Sequence, residues 1–348
     1  MKNLKKVLWA TSILGLFICG FFAYTIYNAI FSPNTAFEND KAYVFIPSNA
    51  SIGEVVEQLG PLLKDISTFQ SVAERKAYVN NIKGGKYAIN KGMNNNDIVN
   101  TLRSRNLPVK VSFNNQESLP ALAGRISKQI EADSLNLLNV LNDKNFLSSN
   151  GFDDDTKLSM YLPNTYEFFW NTNAEKFRER MKKEYDRFWN KQRIAKADAL
   201  NLSQTEVISL AAIVQKETVK VDERPRVAGV YLNRIRQGIL LQADPTVIYA
   251  IKRETGNYDT IIKRVLYKDL EMDSPYNTYK YSGIPPGPIT MPDISSINAV
   301  LNAEKHDYLF FVANVSNFGY HMFAKTLAQH NRNKAQYIRW LNQQNINR

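Results

Sequence analysis

The chain has 348 residues, with 44 Lys and Arg against 33 Asp and Glu, and a formal charge of +11. Its 44% hydrophobic and 11% aromatic residues can bury sizeable cores, which excludes wholesale disorder. One Cys excludes an intrachain disulfide or a cysteine-cluster metal site, and three His (His306, His321, His330) argue against a histidine-rich zinc centre.

No charged residue occurs from Val7 to Phe37, and the apolar part runs to Phe31. About 20 residues suffice to cross a bilayer as a helix. Lys2, Lys5 and Lys6 precede this run, and Glu38 and Asp40 follow it. The positive-inside tendency therefore predicts a cytoplasmic N-terminus and an extracytoplasmic remainder. A cleaved signal peptide would have a shorter apolar region and a small-x-small site after it. Phe17 and Ile18 are too bulky for lipoprotein processing at Cys19. The expectation is a single-pass protein of the inner (cytoplasmic) membrane. That topology disfavours nucleic acid as a partner for the basic ectodomain and favours wall polymer or anionic lipid headgroups.

Residues 32–40 read as a short tether with Pro33 in it. Tyr43–Ile46 is strand-like. Ser51 and Glu54 form a capping box that opens a helix through Leu59. A second helix is expected over Phe69–Asn80, strands over Lys86–Ile89 and Pro108–Phe113, and a short helix over Asp97–Arg103. Beyond that, Ser118–Glu131 reads as helical, and Lys176–Lys196 as a charged helical stretch with a solvated face. The expected division is a tail at 1–6, a membrane helix at 7–31, the tether, a small unit at 41–113 and a larger one at 114–343. The fold class is α+β.

Residues 201–331 carry the chemistry. Ser203 and Glu206 form a second capping box, and the helix it opens should run to about Val219. At 3.6 residues per turn, Val207, Leu210, Ile213, Val214 and Glu217 share one face. An acid thus occupies the register of a buried stripe near a helix C-terminus, and both settings disfavour its ionised form. A Glu kept protonated near neutral pH is what a general acid needs. The competing reading pairs Glu217 with Arg224, Arg226 or Arg234. Asp244 is a candidate N-cap with Pro245 at the first helical position. Tyr276–Tyr279 and Ser282–Ile289 read as a rigid loop with aromatic and amide groups. Tyr308–Val312 and Tyr320–Phe323 read as a hairpin, with His321 read as a strand residue in preference to a site residue.

Leu210–Thr218, Val230–Arg234, Leu241–Tyr249, Tyr276–Tyr279, Gly283–Ile289 and the ending Phe323…His330-Asn331 resemble, in order and spacing, the MltG (YceG-like) endolytic murein transglycosylases. Tyr161–Tyr166 matches a further element, with Asn164 where the family has Asp. The resemblance implies a LysM-like subdomain, which fits the pattern Tyr87-x-Ile89-x-x-Gly92 with Ile98 and Leu102, followed by a YceG-like catalytic domain. It implies Glu217 as catalytic acid and no cofactor or metal. It further implies cleavage of the MurNAc-β-1,4-GlcNAc bond within glycan strands to leave 1,6-anhydro ends. Peptidoglycan synthases are the partners expected by analogy. Gln242, Asp244, Asn277 and Tyr279 are candidates for orienting the sugar or Glu217. Two other readings stay open: a membrane-anchored glycan-binding scaffold without catalysis, and a hydrolase with Asp244 as second carboxylate.

Overall fold

The computed structural model describes residues 2–344. Helix α1 (Lys2–Phe31) leaves its large apolar side chains exposed, Trp9, Phe17 and Phe22 among them. Its segment Leu4–Phe31 is long and apolar enough to cross a membrane.

The chain divides into two compact units. One takes the described residues up to Val111 together with Lys128–Ala132 and Tyr166–Asn173; the other takes Ser112–Ser127, Asp133–Thr165 and everything from Ala174 onward.

The small unit runs β1 (Lys41–Ile46), α2 (Ile52–Leu59), α3 (Ile66–Arg75), β2 (Gly85–Asn90), α4 (Asn95–Ser104) and into β3 (Pro108–Phe113). β1 and β2 are antiparallel, with Val44 opposite Tyr87. Alternation sends Val44, Ile46, Tyr87 and Ile89 to one face. There they meet Val55 and Leu59 of α2, Phe69 and Val72 of α3, and Ile98 and Leu102 of α4. The Ser51–Glu54 capping box forms as expected. The helix expected over Phe69–Asn80 instead spans Ile66–Arg75, because Ala77 at φ +53° breaks the helical path.

Residues 32–37 differ most from expectation. Asn34 is buried, donating from Nδ2 to Asp65 O and Asn95 Oδ1, both at 2.8 Å. Pro33 bridges to Asn94 and Thr35 to Leu63. The first part of the supposed tether is therefore built into the small unit. A Pro-containing polar run looks like a linker when its hydrogen bonds to residues 31 and 61 positions away are invisible.

The large unit contains α5 (Leu119–Ile126), α6 (Ser134–Leu141), α7 (Lys144–Ser149), α8 (Ala174–Phe188), α9 (Lys191–Ala199), α10 (Gln204–Glu217), α11 (Arg224–Arg236), α12 (Asp244–Thr255), α13 (Ile294–Leu301), β5 (Phe310–Ala313), β6 (His321–Ala324) and α14 (Leu327–Gln343). β4 (Asn164–Phe169) pairs with β3, and the division of the chain falls within both strands. The helix expected over Ser118–Glu131 stops at Ile126. The charged stretch Lys176–Lys196 is two helices, because Asn190 caps α9 by accepting from Arg193 N.

α10 packs against α11, α12 and α13. Every residue from Val207 to Val214 is buried, so α10 is a core helix and not a striped one. β5 and β6 form the expected hairpin, Phe310 opposite Ala324, and α14 lies against it. Gly229 of α11 allows a close approach: a Cβ there would stand 2.5 Å from Glu304 O and 2.6 Å from His306 Nε2. Gly229→Ala should therefore cost about 1–3 kcal/mol, read as a lower melting temperature.

Candidate active site

Glu217 is the last residue of α10, with Thr218 as C-cap in extended conformation. Its carboxyl lies in a cleft of about 460 Å³ with Tyr231, Arg234, Gln242, Asp244 and Tyr279. Tyr231 and Arg234 lie three residues apart on α11 and so share a face. Gln242 and Asp244 come from the turn into α12. Phe310, Phe311, His330, Asn331 and Lys334 of the hairpin and α14 form the remaining wall.

Tyr231 Oη donates to Glu217 Oε1 at 2.9 Å. Burial pushes the Glu217 carboxyl up to about 7; the Tyr231 hydrogen bond opposes this, and the Asp244 charge adds to it. A carboxyl raised toward neutrality is able to give a proton and take one back. Removing the phenol stabilises the carboxylate less. Tyr231→Phe should raise the Glu217 titration further, by about one pH unit for a hydrogen bond of roughly 1.5 kcal/mol to a charged group. Carbon-13 NMR of labelled glutamate carboxyls would read it.

None of the three candidate arginines pairs with Glu217. Arg224 donates to Thr218 O and Ser295 Oγ, and Arg226 to Glu304. Arg234 spends its guanidinium on carbonyls: Nε on Leu309 O at 2.6 Å, Nη1 on Leu240 O at 2.9 Å and Leu241 O at 3.0 Å. It also lies over the Phe310 ring, 5.1 Å from its centroid. A cation fixed in this way lends positive potential to the cleft without neutralising the acid.

Of the candidates for orienting a ligand, Gln242, Asp244 and Tyr279 line the cleft and Asn277 does not. Tyr279 Oη donates to Asp244 Oδ1 at 2.5 Å. Asp244 is the first residue of α12; Ala243 holds the N-cap position expected of Asp244, which leaves the Asp side chain to the cleft. Gln242 stands at φ +52°, a conformation costly for a non-glycine residue. It is held there by Gln242 N to Thr278 O at 3.0 Å and Ala243 N to Thr278 Oγ1 at 3.0 Å. Asn277 is fully buried, its Nδ2 donating to Leu270 O and Met272 O and its Oδ1 accepting from Tyr279 N. It shapes the loop that carries Tyr279 and has no face toward a ligand.

Reading the residues missed a second cluster. Glu223 is buried and accepts from His321 Nδ1 at 2.8 Å, His321 N at 2.7 Å and Thr218 Oγ1 at 3.0 Å. Burial pushes its carboxyl up, but the bonds from His321 and Thr218 outweigh this and hold it below the usual range. His321 is in strand β6, as expected, and is also the partner of a buried acid. Thr218 ties this cluster to the residue next to Glu217. His330, part of the family-like ending Phe323…His330-Asn331, also lines the cleft: it stacks on Phe310 at 5.2 Å and 23°, and burial with the neighbouring Lys334 and Arg234 lowers its pKa.

Fold and cleft together define an α+β protein of the acid–base kind, with a protonatable carboxyl among hydrogen-bonding groups. Residues 44–336 match the model of the YceG-like family. An endolytic murein transglycosylase of Bacillus subtilis (strain 168) is 31% identical over 312 residues, 84% of either chain. One of Streptococcus pneumoniae serotype 2 (strain D39) is 27% identical over 334 residues, 86% of this chain and 59% of the relative's length. The crystal structure of a YceG-like protein of Listeria monocytogenes is 30% identical with a TM-score of 0.57, over 85% of this chain and 99% of that one. The chain belongs to the YceG-like family.

Proposed function

We propose that this protein is an endolytic peptidoglycan lytic transglycosylase. It cleaves the MurNAc-β-1,4-GlcNAc bond within strands and leaves 1,6-anhydro-MurNAc ends. The observation that carries the reading is Glu217, a carboxyl raised to about 7 in an open cleft and hydrogen-bonded only by a phenol among the described residues. The names of the Bacillus and Streptococcus relatives support the substrate class.

Protonated Glu217 gives its proton to the glycosidic oxygen as the C1–O4 bond breaks. The substrate's N-acetyl group stabilises the charge at C1. Glu217, now a carboxylate, takes the proton of the muramic C6 hydroxyl as that oxygen bonds to C1. No water is consumed. The nucleophile is tethered to the electrophile, so its effective concentration is high. Asp244, Tyr279 and Gln242 orient the sugar, and the nearby Asp244 charge keeps Glu217 basic enough for the return step. The short Asp244–Tyr279 bond suits a positioning pair better than a water-activating base.

The presence of Asp244 in the same cleft favours the hydrolase as second reading, and product mass separates the two. The full-length protein should release fragments one water lighter than a hydrolase would, and its Glu217→Gln form should release none. Water-added ends would move the assignment to a hydrolase. Glycan pull-down without cleavage would leave the scaffold.

Around this activity we place α1 in the cytoplasmic membrane with its N-terminus inside and both units outside. The β-α-α-β order of the small unit, with Tyr87, Ile89, Ile98 and Leu102 in one core, supports a LysM-like glycan contact. Strand termination beside peptidoglycan synthases is the expected role, tested by co-purification with a synthase.

A further inference from the structure

A groove of about 570 Å³ lies in the large unit beside the cleft. Its floor is an ion triad: Glu117 accepts from Lys216 Nζ at 2.5 Å and from Lys252 Nζ at 2.7 Å. The Lys252 side chain is only 12% exposed and that of Glu117 23%. Each ammonium has three donors and spends one on Glu117, so two on each remain among the described contacts. Ile248 and Tyr249 supply an apolar wall, and exposed Asp259 stands at the rim.

The groove and the cleft share their supports. Lys216 and Glu217 are successive residues of α10, and successive helix positions face different ways. Asp244 opens α12 on the cleft side, while Pro245, Ile248 and Lys252 of the same helix line the groove. The two sites thus share the same pair of helices, and a separation of one helix diameter is about 10 Å. An extended peptide covers roughly 3.3–3.6 Å per residue, so a branch of three or four residues spans that separation.

We propose that this groove binds the peptide branch of the polymer whose glycan occupies the cleft, with Lys216 and Lys252 receiving a branch carboxylate. The inference rests on the proposed function for its ligand class but not for its test. The apolar wall takes the branch's aliphatic side chains, and Asp259 suits an amine further out. Glu117 keeps the two ammoniums together when the groove is empty and limits binding to ligands that bring a full charge.

The test uses the full chain in detergent, a synthetic lactyl-tetrapeptide with free carboxylates, and the same peptide with its carboxylates amidated, in titration calorimetry. The free acid should bind at least five-fold tighter than the amide. Lys252→Gln should erase that difference, and Lys252→Arg should keep it. Equal binding of acid and amide, or no binding of either, overturns the proposal, and because these measurements involve no cleavage they stand whatever becomes of the enzymatic reading. On polymer, the ratio of turnover on branched to peptide-stripped glycan should fall at least five-fold in Lys252→Gln, and an unchanged ratio also counts against it.

Discussion

Glu217→Gln should abolish strand cleavage and, above pH 7, make the protein more stable than the wild type. General acid–base groups contribute about 10²–10⁴ in rate, and here one group serves both half-steps, so a loss at the upper end is expected. The stability gain follows from the raised carboxyl. A group near 7 when folded and near 4.5 in its ordinary state favours the folded protein most while protonated. That contribution is complete below about pH 4.5 and is lost as the pH rises through 7. The 2.5-unit difference corresponds to about 3 kcal/mol. The amide neither ionises nor loses this, so thermal melts at pH 8.5 should separate the two forms by about 6–12 °C and converge near pH 4.5. The same titration makes wild-type kcat/KM fall above pH 7. Parallel melts at every pH would remove burial as the cause of the acid's character.

Glu223→Ala should be the most destabilising substitution near the site. It strips a buried carboxylate from His321 Nδ1, His321 N and Thr218 Oγ1 at once. Breaking a buried charged cluster by removing one partner costs about 3–5 kcal/mol. The pH signature is opposite to that of Glu217. The Glu223 carboxyl lies below its usual value, so its contribution is present above about pH 4.5 and is lost as the pH falls. The stability gap between wild type and Glu223→Ala should therefore narrow on acidification, as denaturant midpoints of both forms at pH 7 and pH 4 would show. Because Thr218 follows Glu217, a second effect is expected: the acid of the cleft loses its fixed C-cap and activity falls even at temperatures where the variant is folded.

Local signals were legible and long-range ones were not. The Ser51–Glu54 and Ser203–Glu206 boxes are complete in four residues and formed as read. Glu217 could be singled out because helix register and a helix end are local properties. Its hydrogen bond comes from Tyr231, fourteen residues away on another helix, which no periodicity reveals. Asn277 and Tyr279 looked equivalent as polar loop residues. One is consumed by backbone carbonyls and the other faces the cleft, a distinction made by a loop fold that the Tyr/Asn/Pro/Gly composition leaves open. Glu223 and His321 lie 98 positions apart and meet only through the hairpin.

The backbone joining α1 to the small unit carries a mechanical consequence. Asn95 Nδ2 donates to Ala29 O at the end of α1, Asn34 is pinned on both sides, and Thr35 Oγ1 accepts from Gly92 N at 2.7 Å. With α1 in a bilayer, the small unit is not a float on a leash but a fixture at the lipid surface. The height of that unit above the membrane is then set by the splice itself and not by the length of a flexible linker.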